Sequence, residues 1–195
     1  MDATPQVQLT VDEYLLWLGM TLDYTDKIAA AIPDELLDWR PEDPSGKYCF
    51  SLAEIVMHIA DARLMFSTQL TGEDAADQYW ATSEGPNEEG VWTFREYDGK
   101  QALLDRLKAT RAVYDPWISQ PYTTLLDVPD GARKAYDGFL KKLKEEGHDT
   151  AMMEKRGPAS VLRVVMAVMA HEAGHRGALQ TLLRQHGINV DHSEL

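Results

Sequence analysis

The sequence predicts an all-α protein, a four-helix bundle with an extra short helix and a long acidic loop. Apolar residues recur at helical spacing through four long segments. A Ser/Thr-x-x-Glu start precedes two of them. No segment shows the sustained period-two alternation of a half-buried strand. With 195 residues, 44% of them hydrophobic, and five tryptophans, the chain can bury one good core. No repeat or low-complexity tract divides it, so a single domain over residues 1–195 is expected.

The first helix is expected after Thr10, whose hydroxyl can cap while Glu13 reaches back. Leu15, Leu18, Leu22, Thr25, Ala29 and Ile32 form its stripe, and Pro33 ends it. Residues 33–48 read as a proline-rich connection with one short turn at Glu35 to Trp39. The second helix starts at the Ser51 cap, with Glu54 as the capping-box partner and Phe50 placed to staple against Ile55. Its stripe is Leu52, Ile55, Ile59, Ala62 and Phe66, and Gly72 stops it just beyond Leu70.

Glu73 to Asp98 form the long acidic loop, with Trp80, Trp92 and Phe94 scattered through it and no sustained period. A third helix is expected over Gly99 to Ser119, with Pro116 signalling a kink or an early end. Gly131 to Glu146 carries Tyr136, Phe139, Leu140 and Leu143 at helical spacing and reads as the extra short helix. Gly147 and Gly157 bracket a polar link. The last helix is expected from Pro158 in its first turn to Gln185, with Gly187 as the C-terminal cap residue.

Charge and composition exclude several function classes. A formal net charge of −13 with no lysine and arginine stripe argues against a nucleic-acid partner and against an anionic membrane surface. MDATPQVQLT lacks a basic n-region and an apolar core, so no signal peptide is expected. The apolar run Val164 to Ala170 is too short to span a bilayer. Together these predict a soluble cytoplasmic protein. The single cysteine, Cys49, excludes an internal disulfide and a cysteine-rich zinc site.

The candidate chemistry lies in the last helix, where His171 and His175 occupy the stripe of Val161, Val164, Val165, Val168, Leu179, Leu182 and Leu183. Four residues of helix bring two rings one turn apart with a rotation of roughly 40°, the placement two imidazoles need to grip one metal ion. A third nitrogen should come from a facing helix, and His58, at the edge of the second helix's stripe, qualifies by position. His148, His186 and His192 fall in polar or terminal positions and read as solvated. Three neutral imidazoles leave coordination positions for water or substrate.

His171, Glu172, Ala173, Gly174 and His175 also satisfy the H-E-x-x-H letters of zinc metalloproteases. That reading fails downstream. Ala178 and Thr181 stand where the metzincin extension wants glycine and histidine, and a glutamate ligand would have to be Glu194 in the polar tail. Glu172 falls on the apolar side of its helix and needs a partner. An ion pair with Arg176 or a hydrogen bond orienting an imidazole supplies one, and a base for bound water or thiol is the sharper role. Cys49 reads as inert and Arg176 as part of a solvated face.

SLAEIVMHIADA, with its histidine inside the second helix, followed near the C-terminus by HEAGHRGALQTLLRQHG, resembles the DinB-like superfamily. IPDELLDWRP ahead of the second helix is similar to that family's inter-helix segment, and the resemblance covers about Val11 to Gly187. It implies a four-helix bundle with a divalent metal (zinc, nickel or iron) on His58, His171 and His175, and a homodimer. It also implies a metal-dependent thiol transferase that joins a low-molecular-weight thiol to a small electrophilic substrate. A non-catalytic metal- or ligand-binding bundle is the competing reading. Ala178 follows His-Arg-Gly where glutamine is common in relatives.

Overall fold

The computed structural model describes residues 10–71, 83–86, 92–94, 96–118 and 126–190. Helix α1, Val11–Ala30, begins at the expected box, with Glu13 N donating to Thr10 Oγ1 at 3.2 Å and Thr10 N to Glu13 Oε2 at 2.6 Å. A short 3₁₀ turn at Asp34–Leu36 follows. Helix α2, Leu52–Thr71, starts at the second box, where Ser51 N donates to Glu54 Oε2 at 2.8 Å and Glu54 N to Ser51 Oγ at 3.2 Å. Both starts come from side chains three residues apart that satisfy amide groups a helix leaves open.

The acidic loop departs from expectation in one respect. Ser83–Pro86 (β1) pairs antiparallel with Trp92–Phe94 (β2), with an irregularity between Ser83 and Gly85. Strands of four and three residues are too short to show a period. Trp80 lies outside the described residues. Helix α3, Gly99–Ala112, ends well before Ser119, and a separate turn of helix, α4, spans Asp115–Ile118. Pro116 explains the break, because its ring would clash with the carbonyl of Ala112 four residues earlier in a continuous helix.

Helix α5 covers Asp130–Glu145 and packs along α2. The link after it holds another turn of helix, α6, at Ala151–Arg156, where Asp149 Oδ1 accepts from Ala151 N at 3.0 Å. Helix α7 is Val161–Gln185 and starts later than Pro158 because Ser160 caps it. It ends in a Schellman motif, with Ile188 N donating to Leu183 O and Gly187 N to Arg184 O, both at 3.0 Å. That turn needs φ +75° at Gly187, which glycine adopts without strain.

Two apolar clusters fill the bundle. Leu15, Leu18 and Leu22 of α1 meet Val161, Val164, Val165 and Val168 of α7 together with Leu70 and Tyr114 at one end. Ile28, Ile32, Ile55, Ile59, Leu107 and Leu179 belong to the cluster at the other end. The order in which each helix visits the two clusters makes α1 and α7 parallel to each other and antiparallel to α2 and α3. Between the clusters lies a polar layer holding Arg63, Glu172 and the three candidate histidines. No described helix is long and apolar enough to cross a membrane.

Candidate metal centre

His58 projects from α2 and His171 and His175 from α7, all half-buried, and their nearest ring nitrogens lie within 4.8 Å of one another. Ring centroids are 5.0 Å apart for His58 and His171, 4.6 Å for His58 and His175, and 4.4 Å for His171 and His175. The His58 and His171 Nε2 atoms approach to 3.1 Å. Tetrahedral nitrogen ligands at bond lengths of about 2.0–2.1 Å sit about 3.3 Å apart, so this spacing fits two donors to one ion. Phe50 flanks His58 at 6.0 Å and Phe66 flanks His171 at 5.8 Å, which keeps water from one side of each ring.

Burial lowers all three imidazoles. For His58 burial and then the neighbouring His175 push the value down to about 4. For His171 burial, His175 and His58 push it to about 3. In His175 burial also lowers it, opposed by the negative charge of Glu172. Near neutral pH the rings are therefore uncharged, the state in which an imidazole offers a lone pair to a metal. Two such lone pairs 3.1 Å apart repel unless a proton or a cation stands between them. The donor set fits a divalent ion of the zinc, nickel or iron type.

Glu172 has a different partner from the one its own helix offers. Its side chain and that of Arg63 are each 1% exposed, and Arg63 Nε donates to Oε1 at 2.6 Å while Nη2 donates to Oε2 at 3.2 Å. Arg176 instead lies over the Tyr24 ring at 4.9 Å. Arg63 also donates to the carbonyls of Leu22 at 3.3 Å and Leu107 at 3.1 Å and pairs with Asp26 at 2.8 Å. One guanidinium on α2 thus ties α1, α3 and α7 together. Sequence reasoning missed it. The available signal was a charge within the run Ile55 to Phe66, otherwise apolar apart from His58 and Asp61, since so apolar a stretch of helix buries most of its circumference.

Glu54 does more than cap. Arg40 grips it with two nitrogens, and Tyr48 donates its hydroxyl to Oε1 at 2.6 Å. Burial pushes the carboxyl up, but the hydrogen bonds from Arg40, Tyr48 and Ser51 outweigh it and hold it below the usual carboxylate range. This bracket fixes the connection that forms one wall of a cavity of about 600 Å³. Tyr48, Cys49 and Phe50 face Gly177, Ala178 and Thr181 across it, and His175 belongs to its lining. The volume suits a small molecule.

The remaining sequence candidates are elsewhere. His148 is exposed beside Glu146, and His186 packs edge-on against Trp39 at 4.5 Å. His192 and Glu194 lie outside the described residues. Cys49 is a half-buried free thiol whose Sγ contacts the Lys47 carbonyl at 3.8 Å.

The model of the DinB superfamily matches residues 18–179, which include both histidine-bearing helices. The chain belongs to the DinB superfamily. Members of the DinB superfamily typically bind a metal, and the helical bundle with its three clustered histidines accords with that. No curated protein matches the chain. In this DinB bundle the histidines come from antiparallel helices, so the site depends on how α2 and α7 are aligned.

Proposed function

We propose that the chain is a divalent-metal-dependent enzyme that transfers a low-molecular-weight thiol to a small electrophile. The observation that carries this reading is the double role of His175, which belongs both to the nitrogen cluster and to the wall of an open cavity. A metal held only to staple helices would have no need of that access. A divalent ion held by His58, His171 and His175 would act as a Lewis acid that lowers the pKa of a thiol.

The chain's own groups set the conditions. Arg63 matches the charge of Glu172, leaving three neutral imidazoles as donors, so the anion that a divalent ion attracts has to come from the ligand. A thiolate fits that requirement. Phe50, Ile55 and Leu182 line the approach with apolar surface, which excludes water and favours a nucleophile with little hydration. Glu172, with both oxygens facing Arg63, acts in this scheme as a structural anion rather than a base.

One observation favours a non-catalytic metal- or ligand-binding bundle: among the described residues no carboxylate or lysine lines the cavity to move a proton. Turnover separates the two. Metal-replete protein is assayed with a panel of thiols and electrophiles, with elemental analysis alongside. Saturable, metal-dependent rates establish the transferase, whereas stoichiometric metal without turnover establishes the binder. Wild-type protein that takes up no divalent metal refutes the transferase and the metal-binding bundle alike.

A further inference from the structure

A second cavity, of about 490 Å³, opens on the flank of the bundle between α2, α5, α6 and the start of α7. Met65 on its wall is seven residues along α2 from His58, or about 10 Å of helix, and Arg163 is eight residues along α7 from His171, or about 12 Å. It is a separate place on the molecule.

We propose that this cavity binds a small amphipathic anion, a molecule with an apolar body and a single carboxylate head. Met65, Ala135, Tyr136, Phe139 and Met153 supply an apolar wall, and the volume lies in the range of small-molecule sites. Met65 and Phe139 stand 43% and 51% exposed at this wall, apolar surface that an occupant would cover. Tyr136 donates its hydroxyl to the Met153 carbonyl at 2.9 Å, which braces α5 against α6 and satisfies the phenol.

The charge of the lining decides the class of ligand. Arg156 and Arg163 both belong to it and, among the described residues, no Asp or Glu does, in a chain whose net charge is −13. Arg163 is held in place because its Nη1 donates to the carbonyls of Arg156, Gly157 and Pro158 at 3.2–3.4 Å. A guanidinium fixed along one edge presents the rest of its fork ready-made, and that fork matches a carboxylate.

Titration calorimetry with octanoate, and with 1-octanol as the uncharged control, tests this on the metal-loaded protein. Saturable one-to-one binding of octanoate is expected, with octanol at least ten-fold weaker. Arg156→Gln and Arg163→Gln should each weaken octanoate several-fold, and Ala135→Trp, which fills the cavity, should abolish binding. His58→Ala should bind octanoate as the wild type does, whatever becomes of its metal. The proposal is overturned if octanoate does not saturate, if octanol binds equally well, or if binding survives Ala135→Trp or is lost in His58→Ala. Should Ala135→Trp fail to fold, Phe139→Ala replaces it, with weaker octanoate binding expected and unchanged binding counting against the site.

Discussion

Replacing Arg63 with methionine is the most demanding perturbation of the polar layer. It leaves Glu172, 1% exposed, without the donors now 2.6 and 3.2 Å away. Removing one partner of a buried ion pair costs about 3–5 kcal/mol. For a domain of this length an unfolding entropy of about 0.4 kcal/mol/K turns that into a Tm lower by roughly 7–12 °C. The assay is calorimetric melting of the metal-free protein, with Glu172→Leu and the double variant completing a cycle. Apolar replacement of both members of a buried pair is often close to neutral, so the double variant should recover the part of the loss owed to Glu172, while Asp26 and the Leu22 and Leu107 carbonyls stay without their donor. The metal should behave otherwise. Glu172 adjoins His171, so losing the clamp frees the rotation of α7 that aims both rings. The double variant should bind cobalt(II) about 10–100-fold more weakly than wild type, as when partners that orient ligands are removed. A Tm change below 3 °C in Arg63→Met, or a double variant no more stable than that single, would refute the reasoning.

Single changes of His58, His171 and His175 to alanine should each remove stoichiometric metal, read by elemental analysis; retained metal in one of them takes that residue out of the site. Metal at 100 times its Kd should stabilise the wild type by about 2.7 kcal/mol and leave the three variants unmoved in the same melts. The metal-free protein should lose stability as pH falls below 6.5, the ordinary imidazole value, towards about 4, because the unfolded chain takes up protons that buried His58 refuses. His58→Ala should flatten that part of the urea-unfolding profile, and an unchanged slope would count against it. Glu54 works at lower pH, since its lowered carboxyl contributes stability above its ordinary value of 4.5 and loses it as pH falls through the folded value. Glu54→Gln should therefore cost about 1–3 kcal/mol at pH 7 and much less at pH 3, by urea unfolding at both.

The parts of the fold that were legible in the sequence are those written in short spacings. The Thr10–Glu13 and Ser51–Glu54 boxes are three residues apart and the last-helix histidines four, and each distance is a helical neighbour relation. His58 was found by its place on a stripe. Arg63 was not, because its partner is 109 positions away and Arg176, one turn from Glu172, offered a local alternative. The packing of α2 against α3, α5 and α7 decided between them. The ribbon at Ser83–Pro86 is too short for periodicity, and α6 arises in a link where only asparagine-like turn chemistry at Asp149 marks a helix start. The long acidic segment has a topological cause. Helices α2 and α3 run the same way, so the chain has to travel back about 30 Å, the length of a 20-residue helix, before α3 can begin.

The polar layer also settles which alignment of the helices is allowed. An apolar seam of valines and leucines tolerates a slip of one helical turn, since one aliphatic side chain replaces another. Sliding α7 by four residues past α2 would bring Arg176 into the place of Glu172 and set two guanidiniums against each other in the interior. The same slip would carry His171 away from His58. A slip that way is penalised by charge repulsion, the opposite slip by setting Val168 against an unpaired buried Arg63, and the alignment that escapes both is the one that gathers the three imidazoles.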